Sequence, residues 1–184
     1  MSKTKKITLS AVLVALSFAL VVVSKLIPAP WMQGGSVTIA SMVPIILASL
    51  LLGTKWGLAC GLVFSLIQMM TGFYPPPTQN FISFVAVVFL DYVGAFSVLG
   101  LANLFVKLMG NKPWAIPLSG TIVTGLRFIM HILSGILIWG VYAEGSSVLV
   151  YSITYNGSYM IPEMIITTIV LAILTPKLKG KYTI

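Results

Sequence analysis

Leu126-Arg127-Phe128-Ile129-Met130-His131 sets a permanent cation and the protein's single histidine inside an apolar run. That run, residues 116–139, exceeds the roughly 20 residues a helix needs to cross a bilayer. Arg127, His131, Gly135 and Trp139 follow one another at steps of four, which puts them on one helical face. An ionisable side chain at membrane depth costs about 3 kcal/mol on insertion scales, so such groups are functional candidates by default. This face reads as one wall of a ligand pocket, with Asp91-Tyr92 and residues 151–156 as its neighbours.

Composition supports the membrane setting. Of 184 residues, 58% are hydrophobic and 8% charged, with a mean hydropathy of +1.06. Soluble domains carry about 25% charged residues, so a water-soluble globule is excluded. A net charge of +8 invites a nucleic-acid reading. The lysines, however, sit in short clusters between or outside apolar runs, the pattern of membrane topology rather than of a phosphate-binding face. Cys60, the single cysteine, rules out an internal disulfide and a CxxC metal site, and it reads as core filler. Residues 7–27 are too long for a signal-peptide core and lack a small-x-small cleavage site, so they read as the first helix.

The expected fold is an all-α integral membrane protein, one domain over residues 1–184. Six helices are expected at about 7–27, 37–52, 56–71, 81–109, 116–142 and 151–174. The second and third are short for a full span, so they either tilt or stop part-way where the backbone turns inside protein. Pro and Gly punctuate every connection, most densely at Pro75-Pro76-Pro77. With an even number of spans, Lys3, Lys5, Lys6, Lys55, Lys107, Lys112, Lys177, Lys179 and Lys181 fall on one side. Only Lys25, with Glu144, falls on the other. The positive-inside rule then places both termini in the cytoplasm of a multi-pass cell-membrane protein. The long outward loops carry Trp31, Phe73 and Tyr74, which suit either interfacial belt anchors or a cover over a pocket.

The polar groups gather in the outer half. Asp91, Tyr92, Arg127, His131, Trp139, Tyr151, Asn156 and Glu163 fall there, and Tyr151, Tyr155, Tyr159 and Glu163 repeat at steps of four on one face. Arg127 is expected to form a structural ion pair with Glu163, Asp91 being the other carboxylate within reach. The bland alternative gives each polar residue a partner inside the bundle and no ligand. One carboxylate, one imidazole, one amide and several aromatic rings in the same band argue for more. An aromatic box with a carboxylate suits a flat, cationic, nitrogen-rich ring, and phosphate fits poorly if the buried cation is already paired. Ala11, Ala15 and Ala19 form a small-xxx-small ridge on the first helix, a surface for close approach by another helix.

The missing motifs matter too. There is no GxxxxGK[ST], HExxH or GxSxG, and one histidine cannot build a multi-histidine metal site. The chain is therefore expected not to be an enzyme, to bind no metal and to use no cofactor of its own. A competing reading is an intramembrane enzyme with His131 as base and Ser134 or Tyr155 as nucleophile; Ser134 lies only three residues along the same helix, a poor geometry for proton abstraction. A third reading is a self-sufficient carrier.

Gln33-Gly34-Gly35-Ser36-Val37, Leu90-Asp91-Tyr92-Val93-Gly94-Ala95-Phe96, residues 126–135 and Tyr151-Ser152-Ile153-Thr154-Tyr155-Asn156 together resemble one family. It is the thiamine-specific substrate-binding (S) components, ThiT/YuaJ-like, of energy-coupling factor transporters, and the resemblance runs over essentially the whole chain. It implies a six-helix component that binds thiamine from outside and docks on a transmembrane coupling protein with two cytoplasmic ATPases. ATP would be used by those partners and not by this chain. It further implies ligand contacts from Asp91, Tyr92, His131, Trp139, Tyr151 and Asn156, and docking through Ala11 and Ala15. Some relatives have a tryptophan and a glutamate where this chain has Gly35-Ser36 and Ile39, a tryptophan at Phe64 and a histidine at Phe73. Trp31, Phe73 and Tyr74 are the expected substitutes as stacking partners. A thiamine precursor or analogue is the alternative ligand.

Overall fold

A computed structural model describes residues 1–26 and 35–178. Among them all regular structure is helical. The helices are α1 (Lys3–Ser24), α2 (Val43–Leu52), α3 (Thr54–Gly72), α4 (Phe81–Leu108), α5 (Ala115–Leu137) and α6 (Val148–Leu178). Of these, α1, α4, α5 and α6 are long and apolar enough to cross a membrane. The surface is inverted relative to a soluble protein. Val12, Leu16, Ile129, Leu133, Ile165, Ile169 and Ile173 are exposed on the outer faces of α1, α5 and α6. In water such patches would drive association, whereas in lipid they are ordinary solvent contacts.

The shortest helix is the most central. Eight of the ten residues of α2 are buried, as expected of a helix apolar all round. At 10 residues it is only about 15 Å long. The deficit against the expected start near residue 37 is made up by residues 35–42, which are not helical and of which Thr38, Ala40, Ser41 and Met42 are buried. Ala40 turns this segment with a positive φ of 57°, and α2 begins shortly after with Pro44 in its first turn, where a missing N–H costs nothing.

Two packing details place the site. Gly100 lets α4 approach α3 closely, since a Cβ there would sit 2.2 Å from the Leu58 nitrogen. At the same level α4 tightens into a 3₁₀ stretch, Val98–Leu101. Ser49 of α2 repairs that break, its Oγ donating to the Gly100 carbonyl at 2.5 Å and accepting from the Asn103 N–H at 3.1 Å. On the other side, α5 and α6 touch through Gly120 against Leu171 and Gly135 against Ser152. A Cβ at Gly135 would lie 2.1 Å from the Ser152 Oγ.

The sequence boundaries need two corrections. α5 stops at Leu137, and Trp139–Tyr142 forms a separate 3₁₀ turn. α4 is interrupted by a π-helical stretch, Val88–Val93, that contains Asp91 and Tyr92. Neither break leaves a mark on hydrophobic periodicity.

Candidate functional site

The polar ends of α4, α5 and α6 meet around a cavity of about 200 Å³. Its wall includes Lys25, Gly35, Ser36, Gln68, Tyr74, Asp91, Tyr92, Phe96, Arg127, His131, Gly135, Trp139, Tyr151, Tyr155, Asn156 and Tyr159. Asp91, Tyr92 and Trp139 come from the breaks in α4 and α5 already described. The π-helical stretch sets Asp91 and Tyr92 on the wall, a device recurrent at functional sites. The end of α5 lets the Trp139 indole reach back to Ser134 and Asp91 instead of continuing along the helix.

Asp91 is the best-held group of the site. Its Oδ1 lies 3.0 Å from His131 Nδ1. Its Oδ2 accepts from the Ser134 hydroxyl at 2.6 Å and the Trp139 indole N–H at 3.1 Å. Three donors to one carboxylate fix its direction. With Nδ1–H donating to Asp91, His131 keeps Nε2 as an acceptor, and that buried atom has no partner among the described residues. Ser134 and His131 both bond Asp91, so neither is placed to activate the other. The Ser134–His131 pairing that the enzyme reading names is not built here.

Aromatic rings surround this carboxylate. Tyr74 lies 5.5 Å from Trp139, and Tyr142 stacks on the same indole at 6.3 Å. Tyr151 and Tyr155 stack at 5.9 Å, while Tyr159 meets His131 edge-on at 6.0 Å. Several of the polar tips serve the protein itself. The Tyr92 hydroxyl accepts from the Tyr74 N–H at 2.8 Å and donates to the Gly72 carbonyl at 3.2 Å, tying the end of α3 to α4. Asn156 donates to the His131 carbonyl at 3.1 Å and to the Ser152 carbonyl at 2.9 Å, and accepts from the Tyr159 hydroxyl.

The expected structural ion pair is not formed. Among the described residues no carboxylate stands within ion-pair distance of Arg127. Its guanidinium lies over the Phe96 ring, 4.3 Å from the centroid, a cation–π contact, while the charge of Glu163 acts on it from beyond ion-pair distance. The reason is competition: Asp91 is taken by His131, Ser134 and Trp139, and Glu163 by Thr38. Trp31 falls outside the described residues. Ala11, Ala15 and Ala19 are exposed on α1. Ala11 and Ala15 line a second, almost wholly apolar groove of about 510 Å³ between α1 and α3; Ala19 lies outside it.

Residues that sequence reasoning passed over also reach the cavity, among them Gln68, Thr71, Lys25 and Phe96. Gln68 had a signal, being the one side-chain amide in α3. Phe96 had none, because an aromatic residue in a membrane helix looks like any other.

With this geometry in view, comparison with known proteins separates the ligand classes that an aromatic, carboxylate-bearing cavity allows. The model of the Thiamine transporter protein (Thia_YuaJ) family matches residues 7–183. The chain belongs to the thiamine transporter family. It is 36% identical over 154 residues to the Thiamine transporter ThiT of Bacillus subtilis (strain 168), covering 77% of this chain and 76% of that protein. A solved structure of ThiT from Listeria monocytogenes superposes with a TM-score of 0.71 at 20% identity, over 94% of this chain and 96% of the other. That likeness concerns the fold. Membership in a family of transporters also sets the enzyme reading aside.

Proposed function

We propose that the chain is the thiamine-binding S-component of an energy-coupling factor importer, and that the cavity around Asp91 is its thiamine site. The observation that carries this is the Asp91 carboxylate, fixed by three donors on the wall of a tyrosine- and tryptophan-lined cavity in a member of the thiamine transporter family. Thiamine joins a flat cationic ring to a second, nitrogen-rich ring through a methylene bridge. A fixed carboxylate offsets the cation, aromatic faces stack on the rings, and the free Nε2 of His131 accepts from an N–H on a ring edge. In this reading Asp91, His131, Trp139 and Tyr151 contact the ligand, with Tyr74 as an added stacking face. Tyr92 and Asn156 line the same wall, with their polar atoms committed to holding it.

Six spans with both termini in the cytoplasm complete the proposal. The α2 crossing is finished by the non-helical residues 35–42, half of them buried, and the lysine distribution favours a cavity that opens outward. The chain has no phosphate-binding loop, so the energy for uptake comes from two ATPases acting through a coupling protein. The exposed Ala11 and Ala15 are the proposed contact with that protein. The test is uptake of labelled thiamine by cells lacking their own thiamine transporters. Accumulation is expected only when the chain is expressed with a coupling module. Accumulation by the chain alone would instead make it a self-sufficient carrier.

A further inference from the structure

Glu163 is buried, yet it does not line the cavity, and among the described residues no guanidinium stands within ion-pair distance of it. Its Oε1 accepts from both the backbone N–H and the hydroxyl of Thr38, a residue 125 positions away in sequence. Thr38 lies in the non-helical segment 35–42, and Gly35 and Ser36 of that segment form part of the cavity wall. The wall is close-fitting there: a Cβ on Gly35 would meet the Tyr159 ring at 2.6 Å. Two neutral acceptors hold the same segment. The Tyr155 hydroxyl takes the Gly35 N–H at 3.2 Å, and the Ser24 Oγ takes the Ile39 N–H at 2.8 Å.

Irregular backbone at membrane depth persists only where protein groups satisfy it. Of the three side chains that hold this segment, Glu163 alone is a carboxylate and alone takes two donors. We propose that Glu163 is a positioning residue for ligand retention: by clasping Thr38 it fixes the Gly35–Ser36 wall, and it touches no ligand itself. The inference rests on the cavity being the thiamine site. When the clasp is lost, the wall departs from the bound ligand more often, while the approach of ligand is unchanged. The effect therefore belongs to the dissociation rate.

Stopped-flow tryptophan fluorescence of the full-length purified protein with thiamine tests this. Glu163→Ala is expected to raise koff at least about tenfold and leave kon within about threefold of wild type. Thr38→Val should raise koff by less, and Thr38→Ser should restore it. The Glu163→Ala/Thr38→Val double variant should dissociate no faster than Glu163→Ala, because both remove the same link. Should Glu163→Ala fail to fold, the Val and Ser variants at Thr38 carry the test with the carboxylate intact. Wild-type dissociation rates in the Thr38→Val variant, or independent effects in the double variant, overturn the clasp alone. Failure of the wild-type protein to bind thiamine overturns the functional reading and the clasp together.

Discussion

At the scale of single residues the site is a carboxylate with its hydrogen bonds already made. His131, Ser134 and Trp139 hold Asp91 in place, and preorganisation of this kind lowers the cost of binding. Asp91→Asn keeps the shape but removes the charge and turns one acceptor into a donor facing donors. It is expected to weaken thiamine binding at least tenfold, about 1.4 kcal/mol, read by equilibrium titration. Trp139→Ala removes both a ring from the wall and a donor from Asp91, and a loss of the same size or larger is expected. Ser134→Ala removes only the 2.6 Å bond to Oδ2. A smaller loss, about 0.5–1 kcal/mol, is expected, because the carboxylate keeps its other two donors. An affinity in Ser134→Ala weaker than in Asp91→Asn would reverse this ranking and show that the serine, not the carboxylate, is the principal contact.

At the scale of elements, close helix contacts hold the site's walls in register. Gly100→Ala would press a methyl against the α3 backbone at 2.2 Å from the Leu58 nitrogen, with no flexible side chain to move aside. Overpacking of this kind costs about 1–3 kcal/mol, so a lower melting temperature in detergent is expected from a thermal-shift assay. Gly125, which has nothing near its missing Cβ, is the control; Gly125→Ala should match wild type or exceed it slightly. Elements also mark the limit of what sequence reveals. The steps of four from Arg127 to Trp139 correctly put all four residues on the cavity wall. The helix ends before Trp139, however, and a 3₁₀ turn finishes the arrangement. Hydrophobic pattern reports which residues avoid water; it does not report which hydrogen-bond register the backbone takes. The π-helical stretch under Asp91 was hidden for that reason. Arg127 and Glu163 were linked in the sequence reading by charge alone, yet Thr38 competes for the carboxylate through donors that include a backbone N–H, which no side-chain pattern displays.

At the scale of the whole molecule, the charge pattern and the cavity make one joint statement about direction. The lysines gather at one end of the sequence-derived topology, and the cavity is built from the opposite ends of α5 and α6. In intact cells of a Cys60→Ser background, a cysteine at exposed Ser146 should react with an impermeant maleimide. A cysteine at exposed Lys112 should react only after the membrane is opened. The reverse labelling would turn the protein over and place the cavity mouth inside. The account rests most heavily on the cavity itself, and the direct measurement is a titration of purified wild-type protein with thiamine, followed by tryptophan fluorescence and paired with Asp91→Asn. Saturable quenching by micromolar thiamine in the wild type, with the curve shifted at least tenfold in the variant, is the predicted result. No saturable quenching at micromolar thiamine, or equal affinities in the two proteins, would contradict it.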